Sequence, residues 1–589
     1  MAGIVFSLGG TDTHQIAKSI SDEIENYSTN LVYMSEQIEL YDVSYPSYPT
    51  ERFDLERFTI ILEGEIYAPG DYRSSLKKLF SDSIPSDEKF QAWAKDIDGD
   101  YNLYVIDESQ SKIHIFTDIL NRLPVYWATL DNTSFGGRSL QFMRRSFQKR
   151  SEILSLDQMS IAEFLLLGYY IGKKTPYNQV NKSVPASKLS LSISKSKHSV
   201  YNQLTFDEKH KNDRSVRENA KILSDLLKKV VENRSNLDGS HVVSLSGGKD
   251  SRLIAAVLAD LEMNIRGYSF YNNTSSANKD VSIALQIAQE LEIDWTLFSV
   301  RNSGSSLVSL YRTKGGMNYL AMGFQVEFLR KIMSDNNKKV RFYTGDIGDL
   351  LDGSWSFNDE FISDRDAVKW LISNYSYNSP DIIEKITGVT KKELISELVS
   401  CISSLPEENE EDRLQHFLTQ ERGFNMDFHG EDRNRSYVWT LAPLNSWPVI
   451  DHLMSIPKNQ KFRYKLTKEV FNIINKDMIR IDYAPYNAPM GTYRQLFREK
   501  NFGITSRFNK LKNKIPISSE KTSYENDPVV EYTNYLQSKN IDENIALDQM
   551  ERVLNMGSSE KYTILTVLAI IEDLEDDIQF LKENQQISY

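Results

Sequence analysis

One cysteine, Cys401, stands among the 589 residues. A lone thiol closes no intrachain disulfide and supplies no cysteine cluster for zinc, so a reducing, cytoplasmic location is expected. Histidine is also infrequent, with 8 in the chain, and His429 and His452 stand far apart in no metal-ligand spacing; structural or surface roles are expected for both. Positive charge is in deficit, 69 Lys and Arg against 82 Asp and Glu, for a net charge of −13. That balance argues against an electrostatic hold on nucleic acid and against a polybasic membrane anchor. No apolar run approaches the roughly 18 residues of a membrane span, and only Gly3-Ile4-Val5-Phe6 precedes polar residues at the start, so neither an export signal nor a membrane partner is expected. Internal repeats and low-complexity tracts are also missing.

What is present is the composition of a globular protein, 40% hydrophobic and 26% charged. At roughly 150 residues per domain the length allows about two to four domains, each able to bury a core. The first part reads as short strands with turns: Ile60-Ile61-Leu62, Tyr101 to Ile106, Ile113 to Phe116, Val125-Tyr126-Trp127. A charged, aperiodic run from Phe206 to Asp213 reads as an exposed linker. Ser215-Val216-Arg217-Glu218 is a capping box, after which Val216, Ala220, Leu223, Leu226, Leu227, Val230 and Val231 follow helical spacing. A strand at His241–Leu245, a helix from Arg252 to Leu261, a strand at Gly267–Phe270 and a helix from Asp280 to Leu291 then alternate, which predicts a parallel α/β sheet. The last third is helical, ending at Tyr562–Lys582 with Leu565, Leu568, Ile571, Leu574, Ile578 and Leu581 in one packing stripe. The expected division is 1–205, a linker at 206–214, and 215–589.

The sharpest pattern is Ser244-Leu245-Ser246-Gly247-Gly248-Lys249-Asp250-Ser251, between a strand and a helix. Two glycines let the backbone turn and expose N–H groups, the helix start adds a positive dipole end, and Ser246 and Ser251 add hydroxyls, making a cradle for phosphate oxygens. Asp250 can hold Mg²⁺ against the same phosphates. Neither the Walker A spacing nor Gly-x-Gly-x-x-Gly is present.

Ser-Gly-Gly-x-Asp-Ser resembles the pyrophosphate loop of ATP pyrophosphatases, which cleave ATP between the α and β phosphates to adenylate a substrate. About 100 residues on, Thr344-Gly345-Asp346-Ile347-Gly348-Asp349 resembles the Ser-Gly-Glu-Gly-x-Asp-Glu segment of asparagine synthetases, and Asp280-x3-Ala284-x2-Ile287-Ala288 resembles that family's helix after the second strand. The resemblance implies ATP and Mg²⁺ as cofactors, with Asp250 and Asp349 as the metal carboxylates. It places Ser244, Leu245, Ser246, Gly247, Gly248, Asp250, Ser251, Phe270 and Gly345 at the nucleotide. Asp346 stands where asparagine synthetases carry Glu and β-lactam synthetases Tyr, and is expected to be catalytic, as the base that deprotonates the amine. Leu350 replaces the final Glu, which departs from the aspartate-using pattern. Ala442-Pro443-Leu444-Asn445-Ser446 and Arg463 to Lys468 look like the family's Pro-Phe-Leu-Asp region and the lysine segment behind it. Lys465 and Lys468, with Arg463 third, are therefore the expected cations for departing pyrophosphate.

The first part is similar to the same family's glutaminase domain through Glu63-Gly64-Glu65-Ile66-Tyr67, Asp98-Gly99-Asp100-Tyr101 and Asp118 to Tyr126. The implied fold is α/β overall: an Ntn-hydrolase-like β-sandwich with flanking helices, then a parallel-sheet ATP-pyrophosphatase (adenine nucleotide α-hydrolase-like) domain with a helical C-terminal part. Yet the family begins Met-Cys-Gly-Ile and this chain begins Met1-Ala2-Gly3-Ile4. Alanine has no nucleophile. Glu63 replaces an expected Asn, Thr117 an expected Arg, and no arginine segment for the glutamine carboxylate is found, so a structural relic is expected, as in β-lactam and lasso-peptide macrolactam synthetases. The expected function is an ATP-dependent carbon–nitrogen ligase that adenylates a small-molecule or peptide carboxylate, releases AMP and pyrophosphate, and passes the acyl group to an amine, giving an amide, lactam or macrolactam. A glutamine-dependent asparagine synthetase or sugar-acid amidotransferase altered at Ala2, and a non-catalytic nucleotide-binding scaffold, are the alternatives; the resemblance also allows a homodimer.

Overall fold

Period-two burial lays down the first two sheets. Along Gly3–Leu8, Ile4, Phe6 and Leu8 join one apolar cluster with Tyr104, Ile106, Ile113, Ile115, Leu189 and Leu191, while Val5 falls in another with Ile16, Ala17 and Ile20 of the helix Thr13–Ser21. In this computed structural model, which describes every residue except 11, 68–69, 272–274, 337–338, 347, 354–360, 500–557 and 587–589, the result is two six-stranded antiparallel sheets packed face to face. The helices Thr13–Ser21 and Leu140–Lys149 cover one outer face. Asp87–Asp96 covers the other, where Phe90 stacks on Phe116 and Trp93 meets Tyr101 edge-on. This is the expected helix-flanked sandwich.

The run expected to be an exposed linker is anchored instead. Phe206 is fully buried and its N–H donates to Glu407 Oε1 at 3.0 Å, and the Asn212 N–H donates to the Ser455 carbonyl at 2.8 Å. One buried aromatic inside a charged stretch outweighs the polarity around it, since about 2 kcal/mol or more attends its burial.

Ser215 and Glu218 form the capping box at the start of the helix Val216–Ser235. Five strands then make a wholly parallel sheet in the spatial order Asp294–Ser299, Arg266–Tyr271, Ser240–Ser244, Val340–Tyr343, Trp439–Leu441. Ser240–Ser244 and Val340–Tyr343 are neighbours, so the loops that follow them emerge side by side at the carboxyl edge, where open α/β sheets bind ligands. The terminal helix Ser558–Gln586 buries Leu565, Leu568, Ile571 and Leu574; the side chains of Ile578 and Leu581 lie outside the described residues. Ile564, Val567 and Ile570 are buried as well, so this helix is packed around more of its circumference than one stripe.

Buried ion pairs join the sandwich to the parallel-sheet unit. Arg138 pairs with Asp432, which also pairs with Lys314. Arg435 pairs with Asp100 at 2.7 Å and with Glu431 at 3.2 Å, and Arg122 donates to the Asn445 carbonyl at 3.0 Å. Three of these residues, Glu431, Asp432 and Arg435, sit in or just after the helix Phe428–Asn434, which thereby is fixed to the sandwich.

Candidate functional site

The Ser244–Ser251 segment leaves its strand and enters the helix Lys249–Asp260 with Gly248 at the cap. Its polar groups hold its own shape. Ser246 Oγ and Ser251 Oγ lie 2.8 Å apart, Ser251 Oγ accepts from the Ser246 N–H at 3.2 Å, and Ser246 Oγ accepts from the Gly248 N–H at 3.2 Å. The Gly247 N–H donates to Asp280 Oδ1 at 2.9 Å, and burial raises that carboxyl above its usual range. The second loop lies directly against the first. A side chain on Gly345 would place its Cβ 2.4 Å from the backbone of Asp250 and Ser251, so only glycine permits the approach.

Asp250 and Asp349 converge on one positive group: the Lys249 ammonium stands 3.1 Å from Asp250 Oδ2 and 3.8 Å from Asp349 Oδ1. Two hard carboxylate oxygen donors beside a phosphate-type loop fit Mg²⁺, which takes one or two protein carboxylates and fills its other positions from phosphate and water. Among the described residues no group of three or more His, Cys, Asp or Glu is placed to ligate a metal.

A cavity of about 290 Å³ opens at these strand ends. Of the residues expected from sequence, Ser244, Ser246, Asp250, Ser251, Gly345 and Asp346 line it, and Asp349 stands beside it through Lys249. Gly247 and Gly248 shape the loop without lining the cavity. Leu245 is buried, its N–H donating to the Tyr268 carbonyl at 2.8 Å. Phe270 packs on Phe324 and Phe328, with centroids 5.1 and 5.2 Å away, and does not line the cavity. Lys465 and Lys468 are also not among the lining residues. Lys465 is exposed and donates to the Asn459 carbonyl at 3.1 Å, while the Lys468 stem lies against Gly491. Arg463 and Tyr464 adopt φ of 55° and 61°, and this kink restarts the helix at Lys465. The helix therefore points its lysines by a geometry that residue spacing does not contain.

The far wall came from a stretch that sequence reasoning passed over. A widened helical run, Leu418–Asp427, leads into Phe428–Asn434; such π-type turns gather at functional sites. Asp427, Gly430, Arg433 and Asn434 line the cavity from this wall, with Asn318 beside them. Four of the five residues in the run Glu431-Asp432-Arg433-Asn434-Arg435 are charged, yet all five are buried. Arg433 donates from Nη1 to Asn318 Oδ1 at 3.2 Å and from Nε and Nη2 to Asn434 Oδ1 at 3.2 and 3.1 Å, and makes no ion pair with any described residue. Burial lowers its pKa to about 10, so it is charged at neutral pH. Burial raises the Asp346 carboxyl above the usual range, against the pull of Arg433 and Arg435. Asp427 is pushed up to about 8 by burial, with Asp349 and Asp346 adding to the rise and Arg422 opposing it.

The corresponding place in the sandwich is closed. Glu63 is fully buried, and its carboxylate accepts from the Ile4 N–H at 3.2 Å, from the Tyr48 and Tyr104 hydroxyls at 2.9 Å each and from Asn102 Nδ2 at 3.1 Å, with Arg138 Nε 3.3 Å away. Gly3, beside the buried Ala2, has φ of 135°, and a Cβ there would meet Glu63 Oε1 at 2.0 Å. The Glu63 carboxylate and Arg138 thus fill the space next to the position where a nucleophile would stand. Cys401 offers no replacement: burial raises its thiol to about 12.

Residues 223–305 match the Asparagine synthase family model, a span that contains the Ser244–Ser251 loop, so this part of the chain is asparagine synthetase-like. No curated protein matches the chain. Three solved structures resemble parts of it. The allosteric regulatory enzyme of purine biosynthesis shares 10% identity over 71% of this chain and 94% of its own, with a TM-score of 0.25. NMN synthetase from Francisella tularensis shares 14% over 38% and 97%, with a TM-score of 0.19. Glutamine phosphoribosylpyrophosphate amidotransferase from B. subtilis shares 10% over 71% and 97%, with a TM-score of 0.23. Scores this low assign neither fold nor function. Among the described residues, no helix is long and apolar enough to cross a membrane.

Proposed function

We propose that the protein is an ATP-dependent ligase that adenylates a substrate carboxylate, releases pyrophosphate and transfers the acyl group to an amine. The observation that carries this reading is the meeting of Asp250 and Asp349 on one cation at the carboxyl edge of adjacent parallel strands, over a serine-glycine loop at a helix start. The loop would hold the triphosphate through its N–H groups and the Ser246 and Ser251 hydroxyls, once these are released from one another and from Asp280. Asp250 and Asp349 would hold Mg²⁺, which when bound offsets the charge between phosphates and the incoming carboxylate. In the second half-reaction the amine nitrogen forms the C–N bond, the C–O bond to AMP breaks, and AMP leaves with that electron pair. One ammonium proton passes to Asp346 and the second to solvent. A lysine-like amine, with a pKa near roughly 10.4, is mostly protonated at neutral pH, so this transfer requires a base, and a carboxyl raised by burial is a stronger one than an exposed aspartate.

The filled space around Glu63 disfavours a glutamine-dependent reading, and a lined, open cavity with charged walls disfavours a retired scaffold. Pyrophosphate release from ATP and Mg²⁺, screened over pools of carboxylates and amines, tests the proposal. Asp250→Asn and Asp349→Asn should each abolish release while the protein stays folded, since both sit in the first turn of a helix and are only half-buried. Undiminished turnover in both variants would refute adenylation at this site.

A further inference from the structure

We propose that the amine acceptor is an amino-acid-like zwitterion, whose unreacting carboxylate is gripped by Arg433 while its ammonium faces Asp346. This rests on the ligase reading above and narrows its substrate. Buried guanidinium groups in this protein follow a rule: Arg122, Arg138, Arg234 and Arg435 each meet a carboxylate. Arg252 instead spends its donors on the carbonyls of Met478, Ile481, Asp482 and Gly247. Arg433 has neither solution, only the amide oxygens of Asn318 and Asn434. Those contacts use three of its five N–H groups, which leaves one on each terminal nitrogen, and a pair of guanidinium donors is what grips a carboxylate. A cation taken out of water without an anion is costly, and the open side of Arg433 is the cavity itself.

The anion it awaits is better assigned to the acceptor than to ATP. The phosphate groups have their own cradle in the Ser246–Ser251 loop and the two metal carboxylates, on the strand-end side. Arg433 comes from a separate element, the helix Phe428–Asn434, and the acid whose charge acts on it is Asp346, which nevertheless forms no ion pair with it. A cation and an anion that share a cavity and leave a gap between them match a molecule with an ammonium at one end and a carboxylate at the other. The carboxylate that is adenylated does not suit Arg433, because a bidentate grip on the attacking oxygens would stabilise the ground state against the step.

The test uses the full chain with ATP, Mg²⁺, a pool of carboxylic acids, and matched acceptors: each standard L-amino acid, β-alanine and γ-aminobutyrate, set against the corresponding carboxamide. Two readouts are taken, labelled pyrophosphate exchange into ATP without acceptor, and amide product by mass spectrometry. At least one zwitterion should give product ~10-fold or more faster than its carboxamide, the lower end of what a charge-assisted contact contributes. Arg433→Met should erase that preference and leave exchange in place, and Arg433→Lys should restore part of it. Equal use of carboxamides, no product from any zwitterion, or loss of exchange along with product in both variants would overturn the assignment. The last of these would move Arg433 to the phosphates. Absence of exchange in the unaltered protein would refute the ligase reading itself, and is distinguished by its independence of the acceptor.

Discussion

Two buried charged sites in this protein differ in whether their charges are answered. In the sandwich, Glu63 is held by four hydrogen-bond donors and Arg138, and Arg138 passes on to Asp432, which Lys314 also meets. In the parallel-sheet unit, Arg433 and Asp346 share a cavity and no ion pair. The first arrangement costs desolvation and answers each charge internally, as a structural network does. The second leaves desolvation uncompensated until a ligand arrives, which is how a binding site is distinguished from a well-made interior. Position 432 belongs to the first kind and position 433 to the second, one residue apart on one helix.

That adjacency allows the contrast to be broken directly. Asp432→Asn removes the anion shared by Arg138 and Lys314, both buried, and should cost roughly 3–5 kcal/mol, the usual penalty for leaving a buried charge unpaired. Its acid sensitivity has a sign: the Asp432 carboxyl is held far below its usual range by Arg138 and Lys314 against the opposing effect of burial. A depressed pKa gives stability that is present above the unfolded value of about 3.9 and lost as the pH falls through the folded one, so the destabilisation by Asp432→Asn should be full at neutral pH. Arg433→Met should leave the unfolding midpoint unchanged or raise it, because it deletes a charge with no anion. Chemical denaturation of both variants checks this, and an equal loss in the two would erase the distinction.

The next effect lies within the cavity. Asp346→Asn keeps the shape of the side chain and removes its basicity. Acyl adenylate should still form, seen as acid-dependent exchange of labelled pyrophosphate into ATP, while product slows by at least ~100-fold, the lower end of a general base's contribution. If exchange disappears as well, Asp346 serves ATP or the metal, and the open-charge pair loses its anionic member.

How much of this contrast could be read in advance follows from the range of the interactions that make it. The strand-loop-helix around Ser244–Ser251 and the capping box at Ser215 are set by neighbours in sequence, and they appear where the spacing places them. The second loop was legible only through its resemblance to the asparagine synthetase segment, and the structure adds why glycine stands at 345: a Cβ there would meet the backbone of Asp250. The wall carrying Arg433 was not legible, because a run of five charged and polar residues ordinarily signals solvent, and distant partners such as Asp100, Arg138 and Lys314 make it an interior. Lys465 and Lys468 failed to reach the cavity lining for a related reason: the turn of Arg463 and Tyr464 into the left-handed region redirects the helix that bears them. Phe206, too, is buried by contacts from over 200 residues away in a stretch whose composition is that of a linker.

The smallest expected effect sharpens the comparison most, since it is a null result. Ala2→Cys returns a thiol to the position that a glutaminase would use, and if the sandwich had merely lost its nucleophile, glutamine hydrolysis should return with it. The structure gives that thiol little to act on. Glu63 occupies the space beside Gly3, its carboxylate already satisfied by Ile4, Tyr48, Asn102 and Tyr104, and Arg138 is committed to Glu63 and Asp432. A glutamine would have to displace a hydrogen-bonded carboxylate from a buried pair before meeting the nucleophile, and a nucleophile without an oriented substrate gains little rate. Glutamate release by Ala2→Cys should therefore equal that of the unaltered protein. Hydrolysis above that background would mean that the Glu63 network opens to admit a ligand, and the sandwich would then join the cavity as a site whose charges wait for a partner.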